Sequence, residues 1–232
     1  MSEQSKPLAL VTGVGPGTGA SVVRRFVEGG YRVAMLARDA DRLAALAAEL
    51  PDTIALPCDV TDLAALEAAI GQVGSPKVVV HNAVGGAFGS FMDIDPEVLR
   101  RNFEINTMAL LHLARLITPA MVAAGEGALI VTGNTSAQRG KAHFAGFAPS
   151  KAAQRILAES IARDLGPKGV HVAYLIIDAV IDLPWQRERL PDAPDDFFIH
   201  PSSIADEVFH LAHQARDAWS FLAEIRPFHE PW

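Results

Sequence analysis

The residues of this chain best suited to chemistry are the glycines of a short loop near its start. The loop reads Thr12, Gly13, Val14, Gly15, Pro16, Gly17, Thr18, Gly19. Glycine permits positive φ angles and lets backbone N–H groups approach a phosphate closely. The N-terminus of a helix also favours an anion. Because an apolar run precedes the loop and a helical pattern follows it, we predict a phosphate-binding turn; the alternative is a plain glycine-rich turn.

The elements that must position this loop are short apolar runs alternating with helical patterns. The runs are rich in Val, Ile and Leu without polar alternation, which is typical of strands buried on both faces of a parallel sheet. They cover residues 8–12, 32–37, 53–57, 77–81, 128–132, 170–177 and 220–225. The repeated β-α-β order predicts a Rossmann-type doubly wound α/β fold, a parallel seven-stranded sheet flanked by helices.

Helix boundaries follow from local signals. We expect the first helix to end at Gly29 and Gly30, and the second at Pro51. Thr61 or Asp62 caps a third. Asp95, followed by Pro96, begins a long helix that reaches about residue 124, and another helix covers about 149–165.

Composition narrows the class of protein. The chain has 232 residues, half of them hydrophobic, and a net charge of -7, so we expect one domain over 1–232 and no nucleic-acid partner. Cys58 is the only cysteine, which excludes an internal disulfide. The polar start and the lack of a long apolar run predict a soluble, cytoplasmic protein without a membrane partner. We expect no metal site.

One segment, residues 178–203, departs from the alternating pattern. It holds four prolines, Pro184, Pro191, Pro194 and Pro201, and several aspartates. We interpret it as a mobile substrate lid with little regular structure. An ordinary surface excursion is the alternative.

The spacing of the glycines, with three residues between Gly13 and Gly17 and one between Gly17 and Gly19, resembles the short-chain dehydrogenase/reductase family. Other motifs agree in order from residue 8 to about 177, and residues 218–228 resemble an atypical bacterial subgroup. The resemblance implies an NAD or NADP site and a catalytic lysine, Lys151. The further positions it implies are Asp59 and Val60 at the adenine, Asn82, Ala83 and Val84 after the fourth strand, and Asn106 on the long helix.

Cofactor choice is decided near the end of the second strand. An acid there binds the ribose 2′-hydroxyl of NAD, whereas an arginine accepts the 2′-phosphate of NADP. Ala37 stands where NAD enzymes of the family carry the acid, and Arg38 follows it. Asp39 is better explained as a helix cap. We therefore predict NADP, with NAD as second choice; the alternative for Arg38 is a solvated surface charge.

The catalytic positions depart from the family pattern. Phe147 stands four residues before Lys151, where the family has the tyrosine that exchanges the proton. Counting back places Asn134 at the family's serine, and Gly140 keeps its expected offset. Asn134 can donate a hydrogen bond to a carbonyl oxygen. Thr135 or Ser136 replaces the serine only if the loop shifts.

The proton then needs another source. Lys151 itself, a water held by Lys151 and Asn106, the substrate and His143 are candidates. His81 is interpreted as packed at a strand end. Asp178 and Asp182 either bind a polar substrate group or cap turns. Five aromatic residues either line an apolar pocket or belong to the core: Phe144, Phe147, Trp185, Phe197 and Phe198.

Three functions are compatible with these residues. The first is a short-chain oxidoreductase acting on a small carbonyl or alcohol with altered proton delivery. The second is a non-catalytic NADP-binding or regulatory protein, and the third is a lyase or isomerase with Lys151 as base. Family resemblance and the apolar helices near 97–124 and 149–165 predict a homodimer or homotetramer.

Overall fold

Seven parallel strands form the central sheet in the computed structural model, which describes residues 6–229. The strands are β1 (Leu8–Thr12), β2 (Arg32–Ala37), β3 (Thr53–Pro57), β4 (Val78–His81), β5 (Gly127–Asn134), β6 (Val170–Ile177) and, after two short strands, β9 (Leu222–Ile225). Their order across the sheet is β3-β2-β1-β4-β5-β6-β9. The doubly wound fold predicted from the apolar runs is confirmed. β5 extends two residues beyond its predicted end, and β9 starts two residues late.

Helices cover both faces of the sheet. They are α1 (Thr18–Glu28), α2 (Ala40–Glu49), α3 (Leu63–Val73), α4 (Pro96–Phe103), α5 (Ala109–Ala124), α6 (Ala148–Leu165), α7 (Pro184–Arg189) and α8 (Pro201–Ala212). Asp39, Asp62 and Asp95 cap α2, α3 and α4, each side chain accepting a backbone N–H of the first turn. Asp62 rather than Thr61 therefore caps the third helix.

The core has two layers, one on each face of the sheet. On one face α1 and α8 pack through residues that include Phe26 and Val208. On the other face α3, α5 and α6 contribute Leu66, Leu110 and Ala158. Because the helices cover the two faces of the sheet, they leave the carboxyl ends of the strands uncovered. A site can form at that edge of the sheet.

A continuous helical run from Pro96 to Ala124 joins α4 and α5 through a π-helical turn, Glu104–Met108. By length and composition it could cross a membrane, a property that core helices of soluble proteins share. Polar residues interrupt it, so the sequence shows no unbroken apolar run. Leu110, Leu113 and Ile117 are buried in the layer against the sheet, so the helix is part of the fold.

The expectation of little regular structure over 178–203 is wrong in part. Two short strands, β7 (Val180–Ile181) and β8 (Phe198–Ile199), pair in parallel, and α7 lies between them. Pro184 and Pro201 begin α7 and α8, because proline is favoured in the first turn of a helix. These two prolines therefore mark the starts of helices and not irregular chain.

Candidate active site

The glycine turn packs against the end of β4. Gly13 has a φ of +70°, and a β-carbon there would lie 2.5 Å from the Ala83 nitrogen. A β-carbon at Gly19 would lie 2.5 Å from the Gly13 carbonyl oxygen. Both contacts involve backbone, which cannot yield easily, so the turn depends on glycine at these two positions.

The N-terminus of α1 has unmet hydrogen-bonding capacity. Gly17 caps the helix without any side-chain acceptor. Within residues 6–229 the backbone N–H groups of Gly17, Thr18 and Gly19 have no backbone partner. The Thr18 hydroxyl is buried and also lacks a partner there. Donors of this kind beside a positive helix terminus fit a phosphate group.

A cleft of about 770 Å³ opens over this turn. The predicted cofactor residues line it, except Lys151: Gly13, Gly15, Pro16, Gly17, Thr18, Gly19, Arg38, Asp59, Val60, Asn82, Ala83 and Val84. From the 178–203 segment, Trp185, an aromatic pocket candidate from the sequence, lines it together with Ile181 and Leu183, which sequence reasoning missed. The size and the mixture of N–H donors and apolar walls suit a dinucleotide.

Two arginines stand at one end of the cleft. Arg38 is exposed and forms no ion pair with any residue between 6 and 229. Arg42, which was also missed, pairs with Asp39 at 3.0 Å. Its position in the first turn of the predicted second helix, four residues after Arg38, is the signal that could have found it. Asp39 caps α2, as the sequence predicts.

Asp59 accepts hydrogen bonds from the backbone and hydroxyl of Thr61 at 3.0 and 2.8 Å, and from Arg101 at 2.9 Å. Burial raises the pKa of Asp59, but these partners outweigh it and hold the pKa below its ordinary value. The carboxylate therefore remains ionised and able to accept a hydrogen bond in the cleft.

Asn82 and His81 connect three strands. The Asn82 amide donates to the Gly13 carbonyl at 2.9 Å and accepts from the Thr132 hydroxyl at 2.9 Å. His81 is fully buried, with its Nδ1 3.1 Å from the Thr12 hydroxyl. Burial and the nearby Lys151 lower the pKa of His81 to about 3, so the ring is neutral and has no proton to give.

Lys151 lies inside the fold, on α6, with 2% of its surface exposed. Its Nζ donates to the Thr132 carbonyl oxygen at 3.1 Å and to the side-chain oxygen of Gln154. Burial lowers the pKa of Lys151 to about 7. The lysine therefore exchanges its proton near neutral pH, unlike an exposed lysine.

Asn106 lies in the π-helical turn, and its side chain is fully engaged. The amide nitrogen donates to the Gly85 carbonyl at 2.8 Å and to the Ser150 hydroxyl at 2.9 Å, while its oxygen accepts from the Gly85 N–H at 3.0 Å. Its main-chain oxygen accepts from Gln154 at 2.6 Å. Asn106 is thus linked to Lys151 through Gln154, and both hydrogens of its side-chain amide are already donated.

The two positions that depart from the family pattern are not among the residues that line the cleft, and they differ in exposure. Phe147 is buried, with its ring edge-on to Phe88 at 6.3 Å. Asn134 uses its side-chain oxygen to accept the Ser136 N–H at 3.1 Å. Within the described part of the chain its amide nitrogen has no partner, and this leaves a donor. Ser136 is buried and lines a second, smaller cavity.

His143 and the aromatic residues singled out in the sequence lie in different parts of the structure. His143 is exposed. Phe144 and Phe147 each contact the ring of Phe88, whereas Trp185 lines the dinucleotide cleft and Phe197 packs on Phe198. The five aromatic residues therefore do not form one pocket.

Both aspartates that follow β6 form ion pairs. Asp182 pairs with Arg187 at 2.7 Å and with His200 at 3.2 Å. Asp178 lies 3.9 Å from Arg139. These contacts connect the 178–203 segment to itself and to the loop that follows β5.

Known proteins resemble this chain in sequence and in fold. The sequence pattern of the short chain dehydrogenase family matches residues 7–184. D-erythrulose reductase of Gallus gallus is 33% identical over 165 residues, covering 71% of this chain and 67% of its own length. The 7alpha-hydroxysteroid dehydrogenase of Escherichia coli K12 is 30% identical over 89% of this chain and 87% of its own length.

Solved structures of other proteins have the same fold as this chain. A metagenomic short-chain oxidoreductase in complex with NADP superposes with a TM-score of 0.83 at 28% identity, covering 96% of this chain and 98% of the other. L-sorbose reductase of Gluconobacter frateurii, with NADPH and L-sorbose, has the same fold, with a TM-score of 0.87 at 22% identity, covering 96% of each chain. This chain belongs to the short-chain dehydrogenase/reductase family of oxidoreductases.

Proposed function

We propose that the protein is an NADP-preferring oxidoreductase that transfers a hydride to or from a small carbonyl or alcohol substrate and exchanges the proton through Lys151. It would belong to an atypical subgroup in which Phe147 replaces the usual tyrosine. The observation that carries the proposal is the placement of Lys151, one helical turn from Phe147, with burial lowering its pKa to about 7. A group that titrates near working pH suits general acid and base catalysis.

The choice of NADP is supported by Arg38. Its guanidinium is exposed at the cleft and free of ion pairs within the described residues, so it can bind a 2′-phosphate. A relative of the same fold was solved with NADP, which supports the same choice. NAD remains the second candidate.

The residues of the site have different roles in the proposed reaction. Thr18 and the backbone N–H groups of the glycine turn bind the pyrophosphate, and Asp59 accepts a hydrogen bond at the adenine end. Asn134 donates from its amide nitrogen to the substrate oxygen. A bound nicotinamide supplies or accepts the hydride. In the reducing direction the Lys151 ammonium gives its proton to the substrate oxygen through a water molecule, because the lysine itself does not line the cleft, and it is then reprotonated from solvent.

Two other proton sources are less well supported. His143 is exposed, and such a histidine is more often a solvated surface group than a catalyst. Both amide hydrogens of Asn106 are donated to Gly85 and Ser150, so a water shared between Asn106 and Lys151 would have to bind at an oxygen of Asn106. Lys151 therefore carries the proposal.

The test is turnover of NADPH and of NADP across a panel of carbonyls and alcohols. We expect activity in the wild type and a loss of about 10²-fold or more in Lys151→Met, since a positioned acid contributes that much. Lys168→Met is the matched control because Lys168 is a surface residue paired with Asp164 at the end of the same helix. Unchanged turnover in Lys151→Met would overturn the role of Lys151. Tight NADPH binding without turnover in either direction would overturn the oxidoreductase proposal and favour a non-catalytic binding protein.

A further inference from the structure

A buried polar cluster behind the cleft centres on Gln154, a residue with no part in the proposed reaction. Its side-chain oxygen accepts hydrogen bonds from Lys151 Nζ and from the Tyr174 hydroxyl, the latter at 3.1 Å. Its amide nitrogen donates to the Asn106 carbonyl at 2.6 Å. Gln154 is completely buried, so all three partners lie inside the protein.

The orientation of the Gln154 amide is determined by these partners. Two donors face its oxygen and an acceptor faces its nitrogen. A flipped amide would oppose donor to donor and acceptor to acceptor, which is costly in the interior. The oxygen of Gln154 is thus held toward Lys151, across three residues of α6.

The core makes room for this arrangement. Tyr174 on β6 is fully buried, and a β-carbon at Gly133 on the neighbouring strand would lie 2.2 Å from its ring. Only glycine at 133 lets the Tyr174 ring approach the lysine, whose Nζ is 5.9 Å from the ring centroid. A cation is stabilised at such a ring face, so glycine, tyrosine and glutamine act together around one amine.

Few charges face the Lys151 amine. His81 on β4 is neutral because its pKa lies at about 3, and burial keeps Tyr174 in its neutral phenol form by raising its pKa. Arg155 on α6 is a charged group that acts on Tyr174 of this cluster. Among residues 6–229 no carboxylate pairs with Lys151. The neutral oxygens of Gln154 and Thr132 are therefore what stabilises the ammonium form.

We propose that Gln154 is a positioning residue that holds the Lys151 amine inside the fold and sets the fraction of it that carries a proton. The idea rests on the proposed function only for its consequence in catalysis. Its physical content, the coupling of Gln154 to the protonation of Lys151, holds with or without turnover. Gln154→Glu is the first change to test, because it keeps the shape and places a carboxylate beside the amine, although it removes the hydrogen bond to the Asn106 carbonyl.

The experiment is an NMR titration of the lysine ε-carbons in the ¹³C-lysine-labelled full chain, with Lys151→Met identifying the signal of Lys151. We expect the pKa of Lys151 to rise by at least about one unit in Gln154→Glu, since an opposite charge within contact distance favours the charged form. Gln72→Glu is the matched control because Gln72 is an exposed helical glutamine that bonds only to its own helix. A Lys151 pKa unchanged in Gln154→Glu overturns the inference.

Circular dichroism shows whether Gln154→Glu folds. If it does not, Gln154→Leu takes its place, and a change of at least about half a unit in either direction supports the coupling while no change overturns it. The pH profile of carbonyl reduction separates the two proposals. If the pKa of Lys151 measured by NMR changes and the pKa read from the pH profile of carbonyl reduction changes with it, both proposals hold. When the NMR pKa moves and the kinetic limb stays, the inference holds and the catalytic role given to Lys151 fails.

Discussion

Leu183 packs directly on Gly17, so that a β-carbon added at Gly17 would lie 2.8 Å from Leu183 Cδ2. The contact joins the 178–203 segment to the glycine turn. Leu183 also lines the dinucleotide cleft, together with Ile181 and Trp185. The segment thus lies against one side of the cleft, and its action as the predicted substrate lid stays a prediction.

Shortening Leu183 should therefore weaken cofactor binding. In Leu183→Ala we expect NADPH to dissociate several-fold faster, because an apolar cover over the cleft is lost. Stopped-flow fluorescence of bound NADPH measures this. Leu190→Ala is the control, since Leu190 is a partly exposed leucine at the end of α7 that does not line the cleft. Equal release rates in the two variants would argue against a lid.

Arg38 should decide between the two dinucleotides. In Arg38→Ala we expect NADPH affinity to fall by roughly tenfold or more, since a charge-assisted hydrogen bond to the 2′-phosphate is lost, while NADH affinity stays nearly constant. Arg42→Ala should have a smaller effect because Arg42 is already paired with Asp39. Fluorescence titrations with both cofactors test this, and an equal loss for NADH and NADPH would contradict it.

Restoring a hydroxyl at position 147 should increase activity. We expect Phe147→Tyr to speed reduction of simple ketones by about 10²-fold, within the range of a positioned general acid. Phe144→Tyr is the control because its ring belongs to the same aromatic group, 5.1 Å from Phe88. Steady-state kcat on one ketone compares the three proteins. No gain in Phe147→Tyr would mean that the rest of the site is not arranged for the usual reaction.

Burial of Lys151 should make stability depend on pH. The pKa of Lys151 is about 7 in the folded protein and 10.5 when exposed, so between these values the unfolded chain binds more protons. The free energy of unfolding of the wild type should therefore rise with pH from about 7 to 10.5, relative to Lys151→Met. The penalty of the buried ammonium is complete below about pH 7. Urea unfolding at several pH values measures the difference, and parallel curves would contradict the assignment.

The oligomeric state also remains a prediction. About a third of the apolar run within Pro96–Ala124 is buried, and Ile156 on α6 is 51% exposed, so these helices have surface left for a second copy. We expect Ile156→Glu to lower the mass observed by light scattering, whereas Leu63→Glu on α3 should not. A monomeric wild type at micromolar concentration would exclude the predicted dimer or tetramer.

Local patterns were sufficient for much of the fold. Strand composition, the Asp caps and the glycine turn act within a few residues, so the chain segment itself carries their signal. The helix α8 was missed although Ile204, Ala205, Val208 and Leu211 have helical spacing and are buried. The prolines of the 178–203 segment favoured an interpretation as irregular chain, and the helical spacing after Pro201 was therefore overlooked.

The amino-acid sequence by itself determined which residues stand at three positions of the candidate site. They are the glycines of the predicted phosphate-binding turn, an arginine after β2, and a phenylalanine one helical turn before Lys151. Only the tertiary structure decided where the lysine lies. Gln154 meets Asn106 across 48 residues of sequence and Tyr174 across 20, and no local pattern encodes such contacts. The burial that lowers the pKa of Lys151 is a property of the whole packed interior, because desolvation depends on every element around the amine.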